Sequence, residues 1–179
     1  TPDISFLRLG NALLGIATRP EFVDESLSAE GSLVAALTGR IDNATELHRE
    51  LAAQGHVPAS PASADVVVAA FRASGPEVVN RFRGAFSGIV TDGRKMWAFR
   101  DHVGFRPLFF RDDPTSFVAA SEARPVAVAA GIPQEPDLRV LEWVMFSGMP
   151  SNTPTALKGV ERVAQGTVLT GDAAGGVSS

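Results

Sequence analysis

Residues 84–108, GAFSGIVTDGRKMWAFRDHVGFRPL, are the most informative segment of this 179-residue chain. Two strand-forming runs, residues 85–91 and 94–100, flank Asp92-Gly93, a pair that accepts the positive φ angles of a tight turn. The pattern predicts an antiparallel hairpin at the centre of a sheet. Because side chains alternate between the two faces of a strand, the residues that we expect to be buried around the hairpin are Phe86, Val90, Trp97 and Phe99.

Further strands are predicted on both sides of this hairpin. Residues 108–111 and 117–120 are apolar runs separated by residues 112–116, which are polar and contain a proline, and this pattern predicts a second hairpin. Other strands are predicted at 13–16, 33–37 and 166–170.

Helices are predicted from capping residues and spacing. Asn43 suits the N-cap of a helix over residues 44–54, with Glu46 at the capping-box position. Ser63 suits the start of a second helix that ends at Gly75. The signals for two more helices are Pro76, which fits a first turn, and the apolar residues Leu138, Leu141, Trp143 and Met145.

Paired helices followed by four consecutive strands predict an α+β fold built in layers. We expect one domain over residues 1–170, while the Gly-Ser-rich residues 171–179 predict a linker or disordered tail toward a further domain. The chain has no initiator Met and no export signal. It is therefore expected to begin inside a longer protein or after processing, and to be cytoplasmic.

Composition argues against several classes of function. The net charge is −4 with no basic stripe, so nucleic acid is not an expected partner, and no apolar run approaches the length of a membrane span. The chain has no cysteine, which excludes disulfides, thiolate metal sites and cysteine nucleophiles within these residues. Its three histidines are isolated (His48, His56 and His102), so no metal site is expected.

Several motifs, in order, resemble class II glutamine amidotransferase domains, specifically those of asparagine synthetases. Residues 100–108, RDHVGFRPL, with Ser121-Glu122, resemble that family's Arg-Asp-x-x-Gly-x-x-Pro-Leu and Ser-Glu signatures. Residues 37–43 resemble its Asn-Gly-Glu-Ile-Tyr-Asn segment. Residues 157–160, with Gly166, resemble its closing segment, and Thr1-Pro2-Asp3 resembles its Gly-Pro-Asp loop. The resemblance spans nearly all of residues 1–170.

The resemblance implies the N-terminal-nucleophile fold, an αββα sandwich of two antiparallel sheets between helical layers, here lacking its first strand. It implies glutamine hydrolysis by an amino-terminal Cys, with ammonia passed to a C-terminal ATP-pyrophosphatase synthetase domain. No cofactor is expected in this chain. ATP and Mg²⁺ are expected in the missing synthetase domain, glutamine is a possible ligand, and a homo-oligomer is possible.

Carried over by position, the family's site is incomplete here. The nucleophile is absent, and the oxyanion-hole positions fall on Thr38 and Gly39, where Thr38 replaces an Asn. The candidate substrate-binding residues are Arg19, with Thr18 in an alternative alignment, and Ser63 or Asp65. Each has a simpler explanation: Thr38-Gly39 as the end of a strand, Arg19 as a surface arginine, and Asp65 as a first-turn acid of a helix.

Framework residues match the family best, namely Arg100, Asp101, Gly104, Pro107 and Glu122. Their simplest role is a strand-to-loop-to-strand crossover. In it, Asp101 would accept hydrogen bonds from backbone N–H groups or from an arginine, and Gly104 would take a conformation that other residues resist.

Three functions follow from this pattern. The leading hypothesis is a degenerate scaffold domain of an ATP-dependent, amide-forming enzyme, as in β-lactam synthetases or lasso peptide cyclases. The alternatives are a working glutaminase domain whose Cys-bearing segment is missing, and a non-enzymatic interaction module. Thr1 as a nucleophile is disfavoured, because we expect no strand directly after Pro2-Asp3.

Overall fold

The computed structural model describes residues 3–19, 26–148, 154–172 and 177–178, which form an α+β fold. The strands are β1 Asp3–Leu9, β2 Ala12–Thr18, β3 Leu27–Glu30, β4 Leu33–Ile41, β5 Gly84–Thr91, β6 Lys95–Arg100, β7 Phe109–Asp113, β8 Ser116–Ala120, β9 Glu161–Arg162, β10 Val168–Asp172 and β11 Val177–Ser178. The helices are α1 Ala44–Ala53, α2 Ser63–Ser74, α3 Ala123–Ala129 and α4 Leu138–Ser147, with a 3₁₀ helix at Pro76–Arg81.

Two antiparallel sheets lie between layers of helix. The larger sheet has the strand order β11-β10-β6-β5-β4-β3 and the smaller one has β8-β7-β9, while β1 and β2 form a separate hairpin. One apolar core joins α1, α2 and the 3₁₀ helix to the larger sheet. A second core fills the space between the sheets, and a third packs α3 against the smaller sheet. The predicted αββα sandwich is confirmed.

The central hairpin β5–β6 is formed as predicted. Its strands pair from Ser87↔Arg100 to Thr91↔Met96, and three of the four expected core residues are fully buried while Trp97 packs at the edge of the same core. In the turn, Gly93 alone has a positive φ, of 85°. Asp92 closes the turn through its side chain, because its Oδ1 accepts hydrogen bonds from the N–H groups of Arg94 and Lys95 at 2.9 and 2.7 Å.

The second hairpin is tighter than predicted. Asp112 and Asp113, expected in a loop, extend β7 and pair with Phe117 and Ser116. The turn is therefore reduced to Pro114-Thr115. The Arg111 guanidinium bonds the Asp113 carboxylate at 2.7 and 2.6 Å, which offsets that carboxylate's charge within the strand.

The amino-terminal hairpin corrects another expectation. β1 begins at Asp3, where a loop and no strand had been predicted, and it pairs with β2 from Asp3↔Thr18 to Leu9↔Ala12. Ile4, Phe6 and Leu13 are exposed on the outer face of this hairpin, so both of its faces carry apolar side chains. The sequence therefore lacks the alternation of apolar and polar residues that indicates a half-buried strand. Thr1 and Pro2 lie outside the described residues.

Both helix-start predictions placed the helices correctly but assigned the wrong side-chain role. Asn43 makes no capping hydrogen bond to α1. Its amide instead donates to the Arg81 carbonyl at 3.0 Å and accepts from the Arg83 N–H at 2.9 Å, which holds the segment that enters β5. Ser63 is the first residue of α2 and makes no cap, because its hydroxyl accepts from the Ile41 N–H at 3.2 Å.

Strand β10 extends past residue 170. Gly171 and Asp172, which were expected to begin a linker, continue β10 and pair with Met96 and Lys95 of β6. Gly171 fits here because a Cβ would lie 2.5 Å from the Phe117 ring of β8. Val177–Ser178 pair with the same strand, so these residues add a strand at the edge of the larger sheet.

Candidate functional site

A cavity of about 930 Å³ opens between the amino-terminal hairpin and the two sheets. Its walls come from β2, the carboxyl half of β4, the first half of β5, and the segments that follow β6 and β8. The side chains and backbone in its wall include Thr18, Ser26, Thr38, Gly39, Arg40, Asp42, Ser87, Arg106, Ser121 and Glu122. The cavity is therefore lined by polar groups over apolar strand residues, as small-molecule sites usually are.

Thr38 and Gly39, predicted as the oxyanion-hole positions, both lie in this wall. Gly39 has a φ of 93° within β4, and a Cβ at this position would collide with the Ala85 carbonyl oxygen. Only glycine fits this backbone. Thr38 is exposed beside it and pairs with Ser87 of β5.

The predicted substrate-binding residues are placed elsewhere. Ser63 is buried, and its hydroxyl holds the end of β4 through Ile41. The Asp65 carboxylate accepts hydrogen bonds from Ser28 at 2.5 Å and from Ser60 at 2.6 Å. Arg19 is exposed, directly after β2. In the described part of the chain, none of these three residues contributes to the cavity wall, whereas Thr18, from the alternative alignment, does.

The charged groups of the wall were only partly predicted. Arg40 and Asp42 form an exposed ion pair at 2.8 Å across the end of β4. Glu122, predicted as a framework residue, lines the cavity at the N-cap position of α3. Arg106 was not singled out from the sequence, although the Arg-Pro pair in the 100–108 motif could have identified it. Its side chain lies against Gly39, since a Cβ on that glycine would be 3.1 Å from the Arg106 Cγ.

The loop that carries Arg106 is fixed by Asp101. This buried carboxylate accepts hydrogen bonds from the backbone N–H groups of the four residues 103–106, at 3.0, 2.7, 3.2 and 3.4 Å. Burial alone would raise the pKa of Asp101. The hydrogen bonds from Phe105, Gly104, Arg106 and Val103 outweigh that effect and lower the pKa below its usual value.

Arg100 closes the same loop from the other side. Its guanidinium donates to the carbonyls of Arg106 and Val163 at 2.8 and 2.9 Å, and also to that of Gly104. Burial and the nearby Arg162 lower the pKa of Arg100, and Asp101 opposes them. The loop is thus held by a carboxylate that accepts from its N–H groups and a guanidinium that donates to its carbonyls.

Gly104 has the expected positive φ, of 76°. A Cβ there would lie 2.8 Å from the guanidinium carbon of Arg100, so the position also requires the absence of a side chain. The carbonyl of Pro107 accepts a hydrogen bond from the Ser87 hydroxyl at 3.4 Å, and this ties the end of the loop to the cavity wall. The framework motif therefore positions Arg106 at the cavity.

Among residues 3–19, 26–148, 154–172 and 177–178, no group of three His, Asp or Glu side chains is arranged to hold a metal ion. No helix in these ranges has both the length and the apolar character needed to cross a membrane.

Comparison with known proteins identifies relatives. Residues 8–178 match the family model of the glutamine amidotransferase domain. The chain is 26% identical over 136 residues to asparagine synthetase [glutamine-hydrolyzing] 3 of Bacillus subtilis (strain 168), covering 74% of this chain and 22% of that protein. It is 28% identical over 135 residues to asparagine synthetase [glutamine-hydrolyzing] 1 of the same organism, covering 73% and 21%. The chain thus spans about a fifth of the length of these relatives.

Two solved structures share the fold. The chain resembles the glutamine phosphoribosylpyrophosphate amidotransferase of B. subtilis, complexed with ADP and GMP, with a TM-score of 0.61 at 17% identity, over 98% of this chain and 42% of that one. It resembles the allosteric regulatory enzyme of purine biosynthesis with a TM-score of 0.63 at 19% identity, over 93% and 34%.

Proposed function

Since this chain belongs to the glutamine amidotransferase domain family, we propose that it is a degenerate member, the scaffold of an ATP-dependent, amide-forming enzyme of the asparagine synthetase type. The chain is similar to the glutamine-hydrolysing domains of asparagine synthetases. The family membership does not include loss of glutamine hydrolysis. We propose that loss from the positions and hydrogen-bond partners of the candidate site residues.

The observation that carries the proposal is that two of the candidate glutamine-binding residues, Ser63 and Asp65, are hydrogen-bonded within the fold itself. Ser63 holds the end of β4, and the Asp65 carboxylate holds Ser28 of β3 and Ser60. Each hydrogen bond to a charged group contributes about 1.5–3 kcal/mol, so freeing Asp65 for a substrate would cost several times thermal energy. These residues stabilise helix α2 against the sheet and do not face the cavity.

The reactive groups are also incomplete. The oxyanion donor expected to be an Asn amide is the shorter hydroxyl of Thr38. Loss of one oxyanion donor lowers the rate of acyl transfer by about 10²- to 10³-fold. Gly39 has a positive φ, and a Cβ there would collide with the Ala85 carbonyl oxygen of the paired strand β5, so the fold by itself requires glycine at this position.

In the proposed enzyme the chemistry occurs in a synthetase region of the same polypeptide. That region would use ATP and Mg²⁺ to adenylate a carboxylate, and an amine would then displace AMP to form the amide. An internal amine in place of ammonia makes glutamine hydrolysis unnecessary, as in β-lactam synthetases and lasso peptide cyclases.

The open cavity favours one alternative, a working glutaminase domain completed by an upstream segment with an amino-terminal Cys. The full-length gene product separates the two functions. We expect it to catalyse carboxylate-dependent ATP–pyrophosphate exchange and to release no ammonia from glutamine above a buffer blank. Ammonia release that disappears when an upstream Cys is changed to Ala would establish the glutaminase instead. If the gene product shows neither exchange nor ammonia release, the remaining hypothesis is a non-enzymatic interaction module.

A further inference from the structure

Helix α4 stands almost entirely outside the three cores. Of its ten residues, only Val140 is buried. The helix is held by its ends, since the Asp137 carboxylate accepts from the N–H groups of Arg139 and Val140 at 3.0 and 3.4 Å. At the other end Gly148 takes a left-handed conformation, and its N–H donates to the Val144 carbonyl at 2.9 Å. A capped helix of this length gains little stability alone and normally depends on packing.

The side of α4 that faces away from Val140 is apolar. Leu138, Leu141, Met145 and Phe146 follow the spacing i, i+3, i+7 and i+8 of one helical face, which we call the α4 face. Their exposed fractions are 70%, 36%, 86% and 85%, and Trp143 beside them is 57% exposed. Large side chains that are this exposed and lie together mark a contact surface.

We infer that the α4 face packs against the synthetase region of the same polypeptide. This inference rests on the proposed function, because the proposed partner is the region in which ATP would be used. In the matched relatives about four fifths of the polypeptide lies outside the part that this chain covers, so a large partner is available in them. A covalently linked region is present at a high effective concentration, which favours it over a second copy of the chain.

The composition of the face fits a permanent intramolecular contact. Glu142 is the one charged residue between its apolar positions, and Arg139, 93% exposed at its side chain, lies at the border. A surface with several large apolar side chains and a single charge among them has the apolar excess that is typical of permanent contact surfaces.

Thiol labelling tests the inference, because this chain has no cysteine of its own. Phe146→Cys is introduced into the full-length protein, treated with a maleimide, and followed by mass spectrometry of its peptide. The matched control is Val57→Cys, since Val57 is also exposed, at 59%, and lies between α1 and α2. In the full-length protein the F146C thiol should react at least about tenfold more slowly than the V57C thiol, because reaction requires local opening of the contact.

Further variants separate the outcomes. Adding Met145→Glu to the F146C protein should restore fast labelling, whereas adding Asn11→Glu, far from the α4 face in sequence, should not. In the 179-residue chain alone, the two thiols should react at similar rates. Equal labelling rates of the two thiols in the full-length protein overturn the inference. Labelling of F146C in the 179-residue chain that slows as the protein concentration rises also overturns it, because it would show that a second copy covers the α4 face. If the full-length protein catalyses ATP–pyrophosphate exchange but its F146C thiol is labelled fast, the inference fails and the proposed function stands. If the F146C thiol is protected but no exchange occurs, the proposed function fails and the contact stands.

Discussion

Asp101 illustrates how one side chain can fix a whole loop. Its carboxylate accepts from four successive N–H groups while 2% of the residue is exposed. Asp101→Ala should therefore lower the free energy of unfolding by about 1–3 kcal/mol, the cost of leaving buried donors unpaired. Thr38→Ala, at an exposed position, should change it by less than about 0.5 kcal/mol. Urea unfolding measures both, and a larger effect at Thr38 would contradict the framework interpretation.

The same carboxylate predicts a pH dependence. The folded-state pKa of Asp101 is lowered, so its contribution to stability is complete above the unfolded-state pKa of about 3.9 and is lost as pH falls through the folded-state pKa. Asp101→Asn keeps one accepting oxygen but has no charge to titrate. The difference in unfolding free energy between wild type and D101N should be largest at pH 7 and shrink below pH 4. A difference that stays constant over this range would show that the carboxylate is not ionised in the fold.

Gly104 tests whether backbone strain or crowding dominates at the loop. Gly104→Ala forces a side chain into a left-handed conformation and places its Cβ against the Arg100 guanidinium. Gly131 has a similar φ of 66° and open space around it, so Gly131→Ala measures the strain alone. We expect G131A to cost about 1 kcal/mol and G104A to cost more, because Arg100 must move. If G104A and G131A lower the free energy of unfolding equally in thermal or urea unfolding, the Arg100 side chain moves aside without loss of stability.

Individual side-chain roles could be predicted from sequence only where the partners are local. Asp101 binds N–H groups two to five residues away, so the local Asp-x-x-Gly spacing reduced its expected donors to the backbone of its own loop or an arginine, and the first alternative is observed. Ser63 and Asp65 could not be placed this way. Their partners Ile41 and Ser28 lie in strands β4 and β3. No short sequence motif predicts that these strands lie next to α2.

Strand β5 shows how an element is fitted to its neighbours. A Cβ on Gly88 would lie 2.5 Å from the Phe99 ring and 2.9 Å from Leu37, both in the main core. Gly88→Ala should cost about 1–3 kcal/mol through overpacking. Gly15→Ala in β2 is the matched change, because its Cβ would meet Phe6 at an ordinary 3.5 Å and should leave stability nearly unchanged. A neutral G88A in thermal unfolding would mean that the Phe99 ring is free to shift.

Elements bounded by clear turn or capping residues were predicted well, even where, as in α2, nearly every side chain is buried. The β5–β6 hairpin and helices α1 and α2 were located from periodicity and turn residues. Strand β1 was missed because apolar side chains occur on both faces of its hairpin. The length of β7 was underestimated, since its ion pair between Arg111 and Asp113 allows acidic residues to continue the strand.

For the whole molecule, the layered architecture followed from the order of helices and strands, and the family resemblance supplied its topology. The cavity was harder to foresee. It is bounded by five segments separated by up to about a hundred residues, and of the predicted site residues Thr38, Gly39 and Glu122 lie in its wall, with Thr18 from the alternative alignment. Ser63 and Asp65, which were carried over by alignment, lie outside the wall and hydrogen-bond to Ile41, Ser28 and Ser60.

The pairing of β6 with β10 has a consequence for the synthesis of this protein. β6 ends at Arg100 and its partner begins at Val168, so a nascent chain exposes one edge of the larger sheet until residues 168–172 have left the ribosome. Until then the backbone groups of β6 that β10 will satisfy remain open to other extended chains. A fragment that stops before residue 168 would contain the predicted core residues but would lack β10, which covers the edge of β6. We expect this fragment to accumulate in inclusion bodies.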